Sequence, residues 1–282
     1  MDCRTDLALE SLASVRTRRG ITEHRRGKLF RTTEIVIEDD DAGRPLGRGR
    51  GRYITLESAP LAQFPDDHEA MARELADEIA ALLPPVGLVL VEGLLKTAFR
   101  PDALGPRTAS HVLATRHLRD ALTDEDEPFL RTLRPVAVLA GGVLGQTGIE
   151  SAELVGAVAD RIRPAAVIAV DALACTALER LGTTVQLSDA GIAPGSGVAN
   201  HRAALDAATL GVPVIAAGVP TVIGVRTLTE DLTGRTPSPP RQDMMVTTRD
   251  IDRLIDQAAR LLACGIDLAL HPQLRYEDVV TL

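Results

Sequence analysis

The sequence predicts an α/β fold: a mostly parallel central sheet with helices on both faces, preceded by an N-terminal β-hairpin. Three observations predict it. Short apolar runs without alternation recur at 86–93, 135–142, 165–172, 183–190 and 212–219, the pattern of strands buried on both faces. Helical segments at 103–120, 147–162, 174–181 and 201–209 separate most of these runs, as in a parallel sheet built from crossover connections. Ahead of them, "FRTTEIVIE" (30–38) and "GRYITLE" (51–57) alternate apolar with polar, and the turn-rich "DDDAGRPLGRGR" lies between.

Taken in chain order, the first 30 residues are polar and Arg-rich, with "RTDLALE" at 4–10 and "SVRTRRGITEHRRGK" at 14–28. The hairpin follows. "DDHEAMARELADEIAALL" (66–83) has acids at its start and apolar residues at helical spacing, so it reads as an amphipathic helix. The five apolar runs and their helices come next. "LTGRTPSPPRQDMM" (232–245), with three prolines, reads as an exposed loop, and "TRDIDRLIDQAARLLACGIDLALH" (248–271) as a closing helix. No internal repeat is visible, and residues 7–282 read as a single domain.

Composition narrows the function. At 282 residues the chain can bury a substantial core, and with aromatics at 2% and no Trp that core must come from Ala, Val, Leu and Ile. A net charge of −8 argues against direct nucleic-acid binding. Cys3, Cys175 and Cys264 are far apart, make no metal-ligand spacing, and read as reduced thiols of a cytoplasmic protein. No apolar run reaches the roughly 18–20 residues that span a bilayer, and no signal-peptide core is seen, so no membrane partner is expected.

In an α/β sheet, ligands gather beyond the carboxyl ends of the strands. Asp171 ends the run "AAVIAV", where an ionised carboxylate is costly unless paired or hydrogen-bonded. Asp102 follows Pro101 and opens a helical pattern, where a capping role also fits. Asp189 opens the Gly-rich "GIAPGSGVAN", where its side chain could simply hold a turn. The loops "GGVLGQTG" and "GIAPGSGVAN" match neither nucleotide-binding fingerprint. His111 and His117 are wrongly spaced to share a helix face as metal ligands, and Ser196 has no histidine pattern marking a base.

Several blocks together resemble the germination protease family of spore-forming bacteria: "RTDLALE", "GRYITLE", "PDALGPR" (101–107), "ATRHL" (114–118), "GQTGIE" (145–150), "VIAVDALA" (167–174), "QLSDAGIAPGSGVAN" (186–200), "TLGVPVIAAGVPTV" (209–222), "MMVTTRDID" (244–252) and "LALHPQ" (268–273). They run in family order across nearly the whole chain. The resemblance implies an endopeptidase related in fold to hydrogenase-maturation proteases that begins the degradation of small acid-soluble spore proteins at germination, in the forespore or spore core. It implies Asp102 and Asp171 as catalytic aspartates and a homotetramer; no cofactor or metal is expected, because no His/Cys/carboxylate cluster stands at ligand spacing. Asp189, Gly145, Gln146, Gly195 and Ser196 are candidate binding residues, with the Gly-rich loops as a source of oxyanion donors. It also implies a zymogen that removes its own N-terminal segment, here residues 1–6, at the Asp6–Leu7 bond. Two carboxylates close together do not both ionise easily, so one keeps a proton while the other activates water.

The chain departs from the family pattern twice. A "GLGN"-type segment after the first central strand is "VEGLLKTAF" here, so the Asn is absent, and "GIHPGSGVGN" reads "GIAPGSGVAN", with Ala193 for His and Ala199 for Gly. These departures keep open a paralogue that binds small spore proteins without cleaving them. A separate alternative, a metal-probing maturation peptidase on the same fold, needs a metal-ligand set beyond the aspartates, and the sequence offers none.

Overall fold

One sheet organises the computed structural model, which describes residues 5–13, 15, 18–63, 67–118, 128–194, 202–235 and 244–281. Its strands among these residues are β1 (Ile21–Arg26), β2 (Arg31–Ile37), β3 (Gly51–Glu57), β4 (Val89–Leu94), β5 (Val136–Gly142), β6 (Ala166–Cys175), β7 (Thr184–Ser188), β8 (Val214–Gly224) and β9 (Met245–Val246). They lie in the order β1-β2-β3-β7-β8-β6-β4-β5, with β9 beside β8. The central strands β8, β6, β4 and β5 are mutually parallel, as the unbroken apolar runs predict. The expected hairpin is β2 with β3, continued outward by β1 and inward by β7, all antiparallel.

Helices cover both faces. On one, α3 (His68–Ala80), α4 (Leu104–His111) and α9 (Ile251–Leu270) bury Leu75, Ile79, Leu104 and Leu262 against Val91, Ile168, Val170 and Ile215. On the other, α6 (Ser151–Ile162) sets Val155 against Leu90, Val167 and Ala169. The remaining helices are short: α1 (Ala8–Ala13), α2 (Asp40–Gly43), α5 (Leu144–Thr147), α7 (Ala207–Leu210), α8 (Val225–Thr233) and α10 (Tyr276–Thr281). Among the described residues no helix is long and apolar enough to cross a membrane.

Several segments differ from expectation. The helix expected over 201–209 is confined to α7, with Leu205 bridged to Ile192 instead; residue 201 lies outside the described residues. The helix expected over 103–120 ends at His111, because Val112 turns extended and the Leu113 N–H is held by Asp267 Oδ1 at 3.1 Å; residues 119 and 120 lie outside the described residues. The helix expected over 174–181 is mostly absent: β6 continues to Cys175, paired with Ile223 of β8, and only Leu178–Arg180 forms a single 3-10 turn. The run at 183–190 is a strand, but antiparallel to its neighbour β8. The link 176–183 is too short for the dozen or more residues a parallel crossover needs. Within the segment read as the exposed loop 232–245, residues 232–233 close α8 and Met245 opens β9, while 236–243 lie outside the described residues.

Candidate active site

Asp171 stands just past the middle of β6, 2% exposed, opposite Gly218 of β8. Its Oδ1 accepts the Ala172 N–H at 2.8 Å. Burial pushes this carboxyl well above the ordinary aspartate range, and the negative charges of Asp6 and Asp102 push it further. The ladder between β6 and β8 shifts register just after Leu173, and Gly218 makes that close approach possible: a Cβ there would lie 2.6 Å from the Asp171 carbonyl oxygen. A bulge beside a candidate catalytic group is a common device for aiming side chains.

Asp102 reaches this place through a glycine contact. It closes the 3-10 turn Arg100–Asp102, which packs on β6 and β8, and α4 begins two residues later. Gly105 in the first turn of α4 sits directly on the strands, where a Cβ would meet the carbonyl oxygens of Leu94 and Val170. Gly93 of β4 faces it, and a Cβ there would collide with the Gly105 carbonyl. The bare backbones let the turn approach the end of β6. Asp102 caps nothing: the N-cap of α4 is Ala103, without a side-chain bond. Half-burial raises the Asp102 carboxyl, and the positive charge of Lys96 opposes that rise.

The segment that replaces the "GLGN" pattern has its own geometry. In Gly93-Leu94-Leu95-Lys96 the third position is Leu95, whose φ of 74° is left-handed. A leucine held there costs roughly 1–2 kcal/mol, which a glycine avoids. The fourth position is Lys96, so the missing Asn is replaced by the cation that acts on Asp102. Just upstream, Glu92 is 1% exposed; its Oε1 accepts the Gly141 N–H at 3.3 Å and its Oε2 has no partner. Burial raises its carboxyl to about 8.

The N-terminal residues do not trail off. Asp6 donates its N–H to the Ala174 carbonyl at 2.9 Å and accepts the Ala174 N–H on Oδ2 at 2.8 Å. Leu7 is fully buried against Leu173, Cys175, Leu181 and Ile223. Gln186 of β7 brackets the Asp6–Leu7 bond: its Nε2 donates to the Asp6 carbonyl at 2.6 Å and its Oε1 accepts the Ala8 N–H at 2.7 Å. Glu10, 5% exposed, accepts the N–H groups of Thr176 and Ala177 at 2.8 and 2.9 Å, with Arg180 Nη1 at 3.4 Å and the Thr5 hydroxyl also on it. A cavity of about 260 Å³ opens beside Asp6, lined also by Arg48, Tyr53, Leu173, Gln186 and Ser188.

Other candidates fall elsewhere. Asp189 is exposed, and its Oδ1 accepts the Arg52 N–H at 2.6 Å, tying the end of β7 to β3. Gly145 and Gln146 form α5 after β5, two strands across the sheet from β6. Gly195 and Ser196 lie outside the described residues. Among the described residues no three His, Cys, Asp or Glu side chains form a group that could hold a metal.

The family model described as "Germination protease" matches residues 11–235. The chain belongs to the germination protease family. It is 38% identical over 315 residues to a germination protease of Caldanaerobacter subterraneus subsp. tengcongensis, covering 98% of this chain and 96% of that one. It is 33% identical over 322 residues to one from Clostridium tetani, covering 99% and 98%, and 32% identical over 355 residues to one from Bacillus subtilis, covering 98% and 95%. Among solved structures, the NiFe hydrogenase maturation protease HycI from Thermococcus kodakarensis KOD1 aligns with a TM-score of 0.36 and 15% identity, covering 67% of this chain and 98% of that one.

In this germination protease family member, sequence reasoning missed Gln186, Glu10 and Arg180. Gln186 opens the block "QLSDAGIAPGSGVAN", but between apolar strand neighbours nothing local marks its side chain for a contact with residues 6–8. Glu10 and Arg180 are ordinary surface types whose burial depends on contacts about 170 positions apart.

Proposed function

We propose that this protein is an endopeptidase that starts the breakdown of small acid-soluble spore proteins at germination, using Asp102 and Asp171 to activate water. The observation that carries the reading is the burial of Asp171 on β6 where the negative charge of Asp102, from the turn packed on that strand, still reaches it. Burial disfavours charge on both carboxyls and the negative charges of Asp6 and Asp102 add to this at Asp171, while the positive charge of Lys96 favours charge on Asp102; on that balance Asp171 is assigned as the acid and Asp102 as the base.

The chemistry then balances in two steps. Asp102 takes a proton from water as its oxygen bonds to the scissile carbonyl carbon, while Asp171 gives its proton to the carbonyl oxygen. Collapse of the tetrahedral species returns that proton to Asp171, and the Asp102 proton goes to the leaving nitrogen as the C–N bond breaks. No metal or cofactor has a part in this scheme. A homotetramer and a location in the spore core belong to the same reading.

Residues 5–10 extend it. With Asp6–Leu7 bracketed by Gln186 and its acid beside Asp171, the N-terminal segment lies as a substrate would, which supports a zymogen that cuts its own chain after Asp6. A tethered segment has a high effective concentration and outcompetes free substrate.

The deciding experiment incubates the pure protein with a small acid-soluble spore protein at near-neutral pH, with and without a chelator, beside Asp102→Asn and Asp171→Asn. Cleavage by the wild type that survives chelation and falls more than tenfold in each variant is expected. A variant within tenfold of wild type, about 1.4 kcal/mol of barrier, overturns the aspartate pair. Loss on chelation restored by zinc or nickel moves the protein to a metal-dependent peptidase.

A further inference from the structure

We infer that Phe99 is a positioning residue for the proposed reaction: its ring holds the Lys96 ammonium beside the turn that carries Asp102, so that the base works next to a fixed positive charge. The inference rests on the assignment of Asp102 as the base, and it concerns the segment in which this chain departs from the family pattern.

Lys96 follows the left-handed Leu95, just past the end of β4. Its charge acts on the Asp102 carboxyl through space, without a hydrogen bond between them. A lysine carries its charge on a flexible stem, and an unheld one spreads that charge over many rotamers reaching into water. Here Nζ stands over the Phe99 ring, 5.6 Å from its centroid. That is inside the roughly 6 Å at which an aromatic face attracts an ammonium.

The ring shares a rigid turn with the carboxyl. The Phe99 carbonyl accepts the Asp102 N–H at 3.0 Å, and Pro101 fixes the backbone between them. Phe99 is 53% exposed, so it packs little of itself into the core. The other charges on the elements around the turn are paired or acidic. Arg100 Nη1 meets Asp252 of α9 at 2.9 Å, and Arg107 Nη1 of α4 meets Asp256 at 3.6 Å. Strand β8 brings no ionisable side chain, and the groups at β6 and the N-terminal residues, Asp171 and Asp6, are both acids. Lys96 is therefore the cation that favours charge on Asp102, and Phe99 decides how constantly it is there.

The test compares the full-length wild type with Phe99→Leu, Phe99→Tyr, Lys96→Asn and the double variant Phe99→Leu/Lys96→Asn. The readout is the acidic limb of kcat/KM against pH on a small acid-soluble spore protein, which reports the base of the free enzyme. Phe99→Leu is expected to move the limb up by about half a unit, a modest shift because water screens a part-exposed charge. Phe99→Tyr keeps an aromatic face and should leave the limb within about 0.2 unit of wild type. In the Lys96→Asn background, Phe99→Leu should move it no further, since the two residues act as one unit. An unmoved limb in Phe99→Leu overturns the inference and leaves the peptidase reading standing. So does an equal shift with and without Lys96, or a change confined to KM, which makes the ring a substrate contact. Protein that cuts no spore protein removes the proposed reaction but still decides the hold on Lys96. The stability difference in urea between each protein and its Asp102→Asn counterpart follows the proton on Asp102, and its break should rise in pH in Phe99→Leu and not in Phe99→Tyr. A break at one pH in all of them overturns the inference.

Discussion

Glu92→Gln should make the protein more stable, and increasingly so as pH rises from 5 to 8. Glu92 is buried on β4 with one oxygen unpartnered, and burial lifts its carboxyl from 4.5 to about 8. The folded protein therefore holds a proton that the unfolded chain gives up. For a group raised in this way, its contribution is complete below the unfolded pKa and is lost as pH climbs to the folded one. With 1.36 kcal/mol per unit, the wild type loses roughly 3–4 kcal/mol between pH 5 and pH 8 through this residue. Glutamine keeps the shape and the bond from Gly141 but does not titrate. Its extra amide hydrogen finds no acceptor, a cost of roughly 1 kcal/mol that is the same at every pH. The assay is urea unfolding of both proteins at pH 5, 6, 7 and 8. The variant's advantage should grow by several kcal/mol across the series, or several degrees in Tm. Parallel stability curves over that range would mean that Glu92 titrates normally in the fold, and the reasoning would be wrong. Because Glu92 has no part in the proposed chemistry, peptide cleavage at pH 7 should stay within tenfold of wild type.

Three further outcomes are expected. Lys96→Asn removes the charge that opposes the rise of the Asp102 carboxyl, so the acidic limb of the pH–rate profile should move to higher pH; an unmoved limb would separate Asp102 from the base. Wild-type protein should slowly lose residues 1–6, as intact mass over time would reveal, while Asp171→Asn should not; retention under every condition by protein that digests substrate fully rules out self-processing at this bond. Burial raises the thiols of Cys175 and Cys264 to about 12 and about 11, so neither should react with iodoacetamide at pH 8 until the protein unfolds, and rapid alkylation of the folded protein contradicts that burial.

The parallel heart of the sheet was readable because β4, β6 and β8 are buried on both faces, and such strands leave unbroken apolar runs whatever surrounds them. The edge was not. In β1, "ITEHRR" is mostly exposed; Arg25 pairs locally with Glu23, but Arg26 is satisfied across space by Glu34 and Glu78, which no local pattern announces. The overextended helix after Asp102 has a similar cause: nothing in 103–120 announces that Asp267, far along the chain, will take the Leu113 N–H. At the site, Asp171 stood out by its apolar approach and Asp102 by its motif. The N-terminal strap did not, because a six-residue helix such as α1 has little stability of its own. It exists through Leu7, Ala8 and Leu12, each almost wholly buried against β-strands more than twenty positions away.

That strap also ties the two halves of the site together. The Asp6 carboxylate, held by the Ala174 N–H, is the larger of the two negative charges that raise Asp171, ahead of Asp102. While it stays in place, the cluster holds three carboxyls, and the proton on Asp171 is bound more tightly than a catalytic pair requires. Removing residues 1–6 takes one charge out of the cluster and empties the carbonyl site under Gln186 in the same event. Burial and Asp102 then remain as the causes that hold the Asp171 carboxyl up, so if the proposed self-cut occurs it should also loosen the proton on Asp171.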